Sequence, residues 1–112
     1  MAFEATLDVV NGIAKITLVG ELDASVATIF KEKIEAAISQ QAQRLVLMME
    51  GLEYMSSAGL RVLVFAKQKM GAKADIFVIG AQPQIVEPIK QTGFHHSVTM
   101  MDAYDASVIE SL

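Results

Sequence analysis

The stretch RLVLMMEGLEYMSSAGLRVLVFAKQKMG, Arg44 to Gly71, decides the fold. It begins with an apolar run, Leu45 to Met49, that does not alternate with polar residues, as expected of a central strand covered on both faces. Gly51 is expected to close that strand. Two serines, Ser56 and Ser57, then precede a segment whose apolar residues recur with the helical period. Serine is a preferred N-cap, and glycine a preferred stop, so a helix is expected from about Ser57 to Met70, ended by Gly71. A buried strand feeding directly into a helix is half of an α/β unit.

Upstream, Phe3, Ala5, Leu7 and Val9 alternate with Glu4, Thr6 and Asp8, the period of a strand with one buried face. Asn11 and Gly12 supply the positive φ of a tight hairpin turn, and Ala14, Ile16 and Leu18 continue the alternation to Gly20. The period then lengthens. Val26, Ile29, Phe30, Ile34 and Ala37 share one stripe of a helix capped by Asp23 or Ser25, with Lys33 inside the stripe and obliged to snorkel. Downstream, Asp75 to Ile79 reads as a fourth strand, and Pro83 suits the first turn of a short helix carrying Ile85, Val86 and Ile89. Pro88 is expected to limit that helix and Gly93 to end it. Ser97 to Met101 reads as a short fifth strand, followed by a last helix capped by Asp102 and carrying Ala106, Val108, Ile109 and Leu112. Strands alternating with helices predict a partly parallel sheet with helices packed on it.

The whole fits one domain of 112 residues. Apolar residues make up 53% of the chain, and mean hydropathy is +0.41, yet no stretch approaches the ~20 uninterrupted apolar residues of a membrane span. The first ten residues lack the basic and apolar regions of a secretory signal, and there is no cysteine, so a cytoplasmic protein is expected. A net charge of −4 with scattered Lys and Arg offers no stripe for nucleic acid.

Turning by about 100° per residue, the Ser57–Met70 helix puts Gly59, Val62, Leu63, Ala66 and Met70 toward the core. Ser57, Leu60, Arg61, Val64 and Gln68 point outward, with Phe65 on the flank. Apolar Leu60, Val64 and Phe65 around a polar centre are the pattern of a partner surface, or else of a face that a neighbouring loop or helix covers. A phosphate on a serine at such a helix start meets free N–H groups and the positive dipole end, with Arg61 one turn on to pair with it. Nothing nearby makes either serine a nucleophile. His95 and His96 lack any zinc motif and read as solvated loop residues; Glu21 and Asp23 read as turn and cap residues rather than an acid/base pair. With no GxSxG and no P-loop, neither catalysis nor a cofactor or metal is expected.

These residues match a family. Over essentially its whole length the chain resembles the STAS domains of bacterial anti-sigma factor antagonists. VGELDA, Val19 to Ala24, is similar to the family's G-E-L-D turn, and SSAGLRVL, Ser56 to Leu63, is similar to its D-S-S/T-G-L signature. Aligned on Gly59 and Leu60, Ser57 falls on the phosphoacceptor, Ser56 on the aspartate before it, and Ala58 on the second hydroxyl residue. Met48 stands where the central strand commonly carries Asp or Asn, so local carboxylates that could help a kinase recognise the site are missing.

The resemblance implies a single STAS domain over 1–112, of α/β class, with a mixed four- to five-stranded sheet and about four helices. It implies a partner-switching regulator, itself not an enzyme. Unphosphorylated, it would bind a GHKL-type serine kinase that is also an anti-sigma factor, through Asp23, Ser56, Ser57, Leu60, Arg61, Val64 and Gln68. Phosphorylation at Ser57, with Ser56 the second candidate, would end the binding, and a metal-dependent serine phosphatase would restore it. The alternative is a non-switching STAS binding module, as in a lipid-transport complex, a stress-sensing assembly or a ligand sensor, in which Ser57 is only part of a helix start.

Overall fold

The computed structural model describes residues 2–111. Strand β1 (Glu4–Val10) turns at Asn11 and Gly12, both at positive φ, into β2 (Ile13–Leu22), and the two pair antiparallel with Val10 opposite Ile13. β2 then pairs parallel with β3 (Arg44–Met55), β3 with β4 (Asp75–Ile79) and β4 with β5 (Thr99–Met101), so the five strands lie in sequence order.

Both β2 and β3 outrun the glycines expected to end them. β2 continues past Gly20 to Leu22, and β3 past Gly51 to Met55, because the two extensions pair with each other: Val19 with Gly51, Gly20 with Leu52, Glu21 with Tyr54 and Leu22 with Met55. Register shifts between Thr17 and Val19 and between Gly20 and Glu21 mark β-bulges, which is where a strand accommodates glycine. At Gly51 a Cβ would lie 3.3 Å from Val19 Cγ2, tight packing within the sheet rather than a free end.

The helices are α1 (Ala27–Ser39), α2 (Ser57–Met70), α3 (Pro83–Gln91) and α4 (Ala106–Ile109), with a 3₁₀ turn at Phe94–His96. α2 has the expected bounds, with Gly71 beyond its end at φ 92°. The others differ in detail. The N-cap position of α1 is Val26, with no side-chain bond, so neither Asp23 nor Ser25 caps the helix. Ala27 joins Phe30, Ile34 and Ala37 in its buried stripe, while Ile29 is 39% exposed and Lys33 half-buried. Pro88 lies inside α3, which runs on to Gln91; it forgoes one backbone hydrogen bond, and the fully buried Ile85 and Ile89 on either side anchor the helix regardless. β5 is shorter than Ser97–Met101 because Phe94–His96 forms the 3₁₀ turn before it. Asp105 rather than Asp102 caps α4, its carboxylate accepting from Ser107 N at 3.0 Å and Ser107 Oγ at 2.6 Å. In α4 only Ile109 is buried, Val108 being 44% exposed, and Leu112 lies outside the described residues.

Parallel strands added in one direction with crossovers of one hand keep every crossover helix on the same side of the sheet. One core therefore joins Ile16, Leu18, Leu45, Leu47, Ile76 and Val78 to Phe30 and Ile34 of α1, Val62 and Leu63 of α2, and Ile85 and Ile89 of α3. Full burial of each such side chain is worth about 1.5–3 kcal/mol. The opposite face has its own small core, Val46, Phe77 and Ile79, covered by Ile109 and Tyr104 from the C-terminal segment. Arg44 ties that segment down. Its Nη1 donates to the carbonyls of Val108 (2.7 Å) and Ile109 (2.9 Å) while its Nε faces Asp75 Oδ2 at 3.3 Å.

Candidate phosphoacceptor site and partner surface

The paired ends of β2 and β3 aim two turns at one place. Leu22 and Met55 are opposite each other, so Asp23 and Ser56 follow from adjacent strand ends, and Ser56 N donates to Leu22 O at 2.9 Å. α2 then starts hard against them. A Cβ on Gly59 would stand 2.8 Å from Leu22 Cδ2 and Cγ and 2.9 Å from Met55 Cγ, so only glycine lets the first turn of α2 sit this low on the strand ends.

The two serines divide the work. Ser56 is the N-cap: its Oγ accepts from Gly59 N at 3.3 Å, and its carbonyl accepts from Leu60 N at 3.0 Å. Ser57 is exposed, and its hydroxyl makes no hydrogen bond among the described residues. The N–H groups of Ser57 and Ala58, in the first turn, have no intrahelical acceptor and face outward with the positive end of the dipole. Arg61, one turn along, is exposed and forms neither a hydrogen bond nor an ion pair among the described residues.

Asp23 is not a free base. Its carboxylate accepts from Ser25 Oγ at 2.6 Å and Ser25 N at 2.9 Å, and this bonding to the Ser25 side chain, with the backbone N–H groups of Ser25 and Val26, holds its pKa below the usual carboxylate value. It shapes the turn before α1. The site presents an exposed hydroxyl at a helix end that favours an anion.

The ridge of α2 carries Ser57, Arg61 and Gln68, all exposed. Leu60, Val64 and Phe65 are half-buried and pack against the main core, so the apolar patch is shallower than the helical period alone suggested. The large apolar side chain that is truly exposed beside the site is Tyr54, at 48%, two residues before the N-cap Ser56. Met48 packs with the second core, on the side of the sheet away from α2, and takes no part in this surface.

Between α1 and α2 runs a groove of about 230 Å³, lined by Ala27, Thr28, Lys31, Ala58, Arg61, Val62 and Phe65. A larger polar cleft of about 540 Å³, lined in part by Asp8, Lys15, Tyr104 and Glu110, opens elsewhere, at the β1–β2 hairpin and the C-terminal segment. His95 and His96 belong to the 3₁₀ turn with ring centroids 3.9 Å apart; His96 is exposed, while His95 is half-buried with Nδ1 inside and unbonded, not solvated as expected. Among the described residues no group of three or more His, Cys, Asp or Glu is placed to hold a metal.

The STAS domain profile matches residues 4–107. The chain belongs to the STAS domain family. BtrV of Bordetella bronchiseptica, which carries the name of an anti-sigma factor antagonist, is 30% identical over 90 residues, 80% of this chain and 78% of BtrV. Among solved structures, an anti-sigma factor antagonist from Mycobacterium paratuberculosis superposes with a TM-score of 0.88 at 20% identity, covering 98% of this chain and 96% of that one. The Bacillus anti-sigma factor antagonist SpoIIAA in its unphosphorylated form gives a TM-score of 0.73 at 25% identity, with 97% and 96% coverage. Its phosphorylated form gives the same TM-score at 22% identity, covering 97% of each chain. The STAS fold seen here therefore matches SpoIIAA equally well with and without its phosphate. Among the described residues no helix is long and apolar enough to cross a membrane.

Proposed function

We propose that this STAS domain is an anti-sigma factor antagonist that works by partner switching in the cytoplasm, as one unit over residues 1–112. Unphosphorylated, it presents Asp23, Ser56, Ser57 and the α2 residues Leu60, Arg61, Val64 and Gln68 to a GHKL-type serine kinase that doubles as an anti-sigma factor, freeing the sigma factor. The kinase supplies ATP, magnesium and the base. The Ser57 Oγ attacks the γ-phosphorus, the Oγ–P bond forms as the P–O bond to ADP breaks, and the hydroxyl proton passes to the kinase. A metal-dependent serine phosphatase hydrolyses the ester and resets the switch.

The observation that carries this reading is the division between the two serines: Ser56 Oγ is committed to Gly59 N, whereas the Ser57 hydroxyl is exposed and unbonded among the described residues. The relatives' names favour it over a permanent binding module. A phosphate at Ser57 adds a charge of about −1.5 to −2, welcomed by the helix end and by Arg61. A partner packed on Leu60 and Val64 would have to desolvate that charge, which costs far more than the contact gains. Phosphorylation thus spares the fold and removes the partner.

The test is to incubate the purified chain with ATP, magnesium and each serine kinase of the same genome that binds it, and to map phosphate by mass spectrometry. A single phosphate on Ser57, absent from Ser57→Ala, is expected. Phosphate on Ser56 alone, or on neither serine with every such kinase, overturns the assignment.

A further inference from the structure

The charge on α2 is one-sided. Its charged residues are Arg61, Lys67 and Lys69, with no Asp or Glu, in a chain whose net charge is −4. Lys67 is spent on the carbonyls of Ala74 and Ala72, at 2.7 and 3.5 Å. Arg61 and Lys31 of α1 instead line the α1–α2 groove, and at its Phe65 wall the ammonium groups of Lys31 and Lys69 stand 4.7 and 5.9 Å from the ring centre, Lys69 itself lying outside the lining. The groove floor is built from small side chains, Ala27 and Ala58, with Val62 beside them and Phe65 as one wall. At about 230 Å³ it is below the ~300–1,000 Å³ of a small-molecule pocket, and has room for a single apolar side chain.

We propose that this groove is a second contact for the partner, and that its occupant is an acidic segment of the anti-sigma factor that lays one apolar side chain between Ala58 and Phe65. Carboxylates flanking that side chain meet Lys31, Arg61 and Lys69. The proposal rests on the partner-switching reading and extends it. Arg61 lines the groove and also lies one turn from Ser57, so a phosphate on Ser57 draws Arg61 and offsets the positive rim that an acidic segment reads. The switch then acts by charge competition in the groove as well as by desolvation on the ridge.

A capped hexapeptide of sequence EDLEDE, with KKLKKK as reference, tests this by amide chemical-shift mapping on the ¹⁵N-labelled full chain at low salt. The acidic peptide is expected to shift Thr28, Lys31, Ala58, Arg61 and Phe65, and the reference peptide to leave them in place. Lys31→Glu and Ser57→Asp, both at exposed positions, are each expected to weaken the acidic peptide about tenfold, the equivalent of ~1.4 kcal/mol. Equal shifts with both peptides overturn the proposal. So do shifts confined to other residues, or concentration-dependent shifts at the groove without peptide, which would place a second copy of the chain there. A null peptide result alongside loss of kinase binding in Ser57→Asp removes the groove and leaves partner switching standing; retention of full kinase binding in Ser57→Asp removes both.

Discussion

Ser56 N donates to Leu22 O at 2.9 Å, and this one bond joins the ends of two strands whose turns lead to α1 and α2. It sets the height at which α2 begins and leaves the next residue, Ser57, pointing out from the rim. Ser56 is held twice over, by its N–H to Leu22 and by its Oγ on Gly59 N, while Ser57 carries none of this structural burden.

Ser56→Ala should therefore cost about 1 kcal/mol of stability, the usual worth of an N-cap, yet leave Ser57 open to phosphorylation. Ser57→Ala should change stability by less than about 0.5 kcal/mol and abolish phosphorylation. Urea denaturation with mass spectrometry on each variant separates the two roles. Equal stability losses would mean that the cap is shared.

Gly59→Ala brings a Cβ within 2.8 Å of Leu22 Cγ and 2.9 Å of Met55 Cγ, both buried side chains. Overpacking of this kind costs about 1–3 kcal/mol, against a helix-propensity gain of about 1 kcal/mol for replacing glycine. The expected result is a net loss on the order of 1 kcal/mol together with weaker partner binding, because the start of α2 must rise from the strand ends. A stabilised variant would show that the close approach is not needed.

The ridge can be probed without disturbing the core only at its exposed positions. Gln68→Glu should leave the unfolding free energy within the scatter of surface substitutions, about 0.5 kcal/mol, while weakening an acidic partner severalfold in a titration. Val64→Glu should weaken binding as well but also destabilise the fold by about 1–3 kcal/mol, since Val64 is half-buried against the main core. Full affinity in both variants would remove this face from the interface.

The C-terminal segment has its own pH signature. Tyr104 Oη donates to Glu110 Oε2 at 2.5 Å, and that bond, then burial and the Glu110 charge, push the phenol pKa from 10.0 up to about 12. The neutral phenol is the form the fold favours. Its contribution is complete below the unfolded value of 10.0 and is lost as pH rises through about 12. In a Tyr54→Phe background, which isolates Tyr104 from the other tyrosine, tyrosinate absorbance should titrate near 12, and Glu110→Ala should bring the midpoint down toward 10.

Much of this was legible in the residues. The hairpin at Asn11 and Gly12, the bounds of α2, the strand Asp75–Ile79 and the inward set Gly59, Val62, Leu63 and Ala66 follow from local periodicity and turn chemistry, which act over a few residues. Where expectation failed, a distant segment intervened. Gly20 and Gly51 do not end their strands because the two extensions pair with each other, and Pro88 does not end α3 because Ile85 and Ile89 are fully buried. Leu60 and Val64 are half covered, since a helical wheel shows direction and not depth.

The sequence by itself determined that this is an α/β chain with two serines at the start of an amphipathic helix, because period and capping are local properties. Only the tertiary structure decided which serine is committed and which is free, because that turns on Leu22 O receiving Ser56 N across the sheet and on Gly59 admitting Leu22 and Met55. It also decided that Lys31 faces Phe65 across a groove, two residues from separate helices that no local pattern connects.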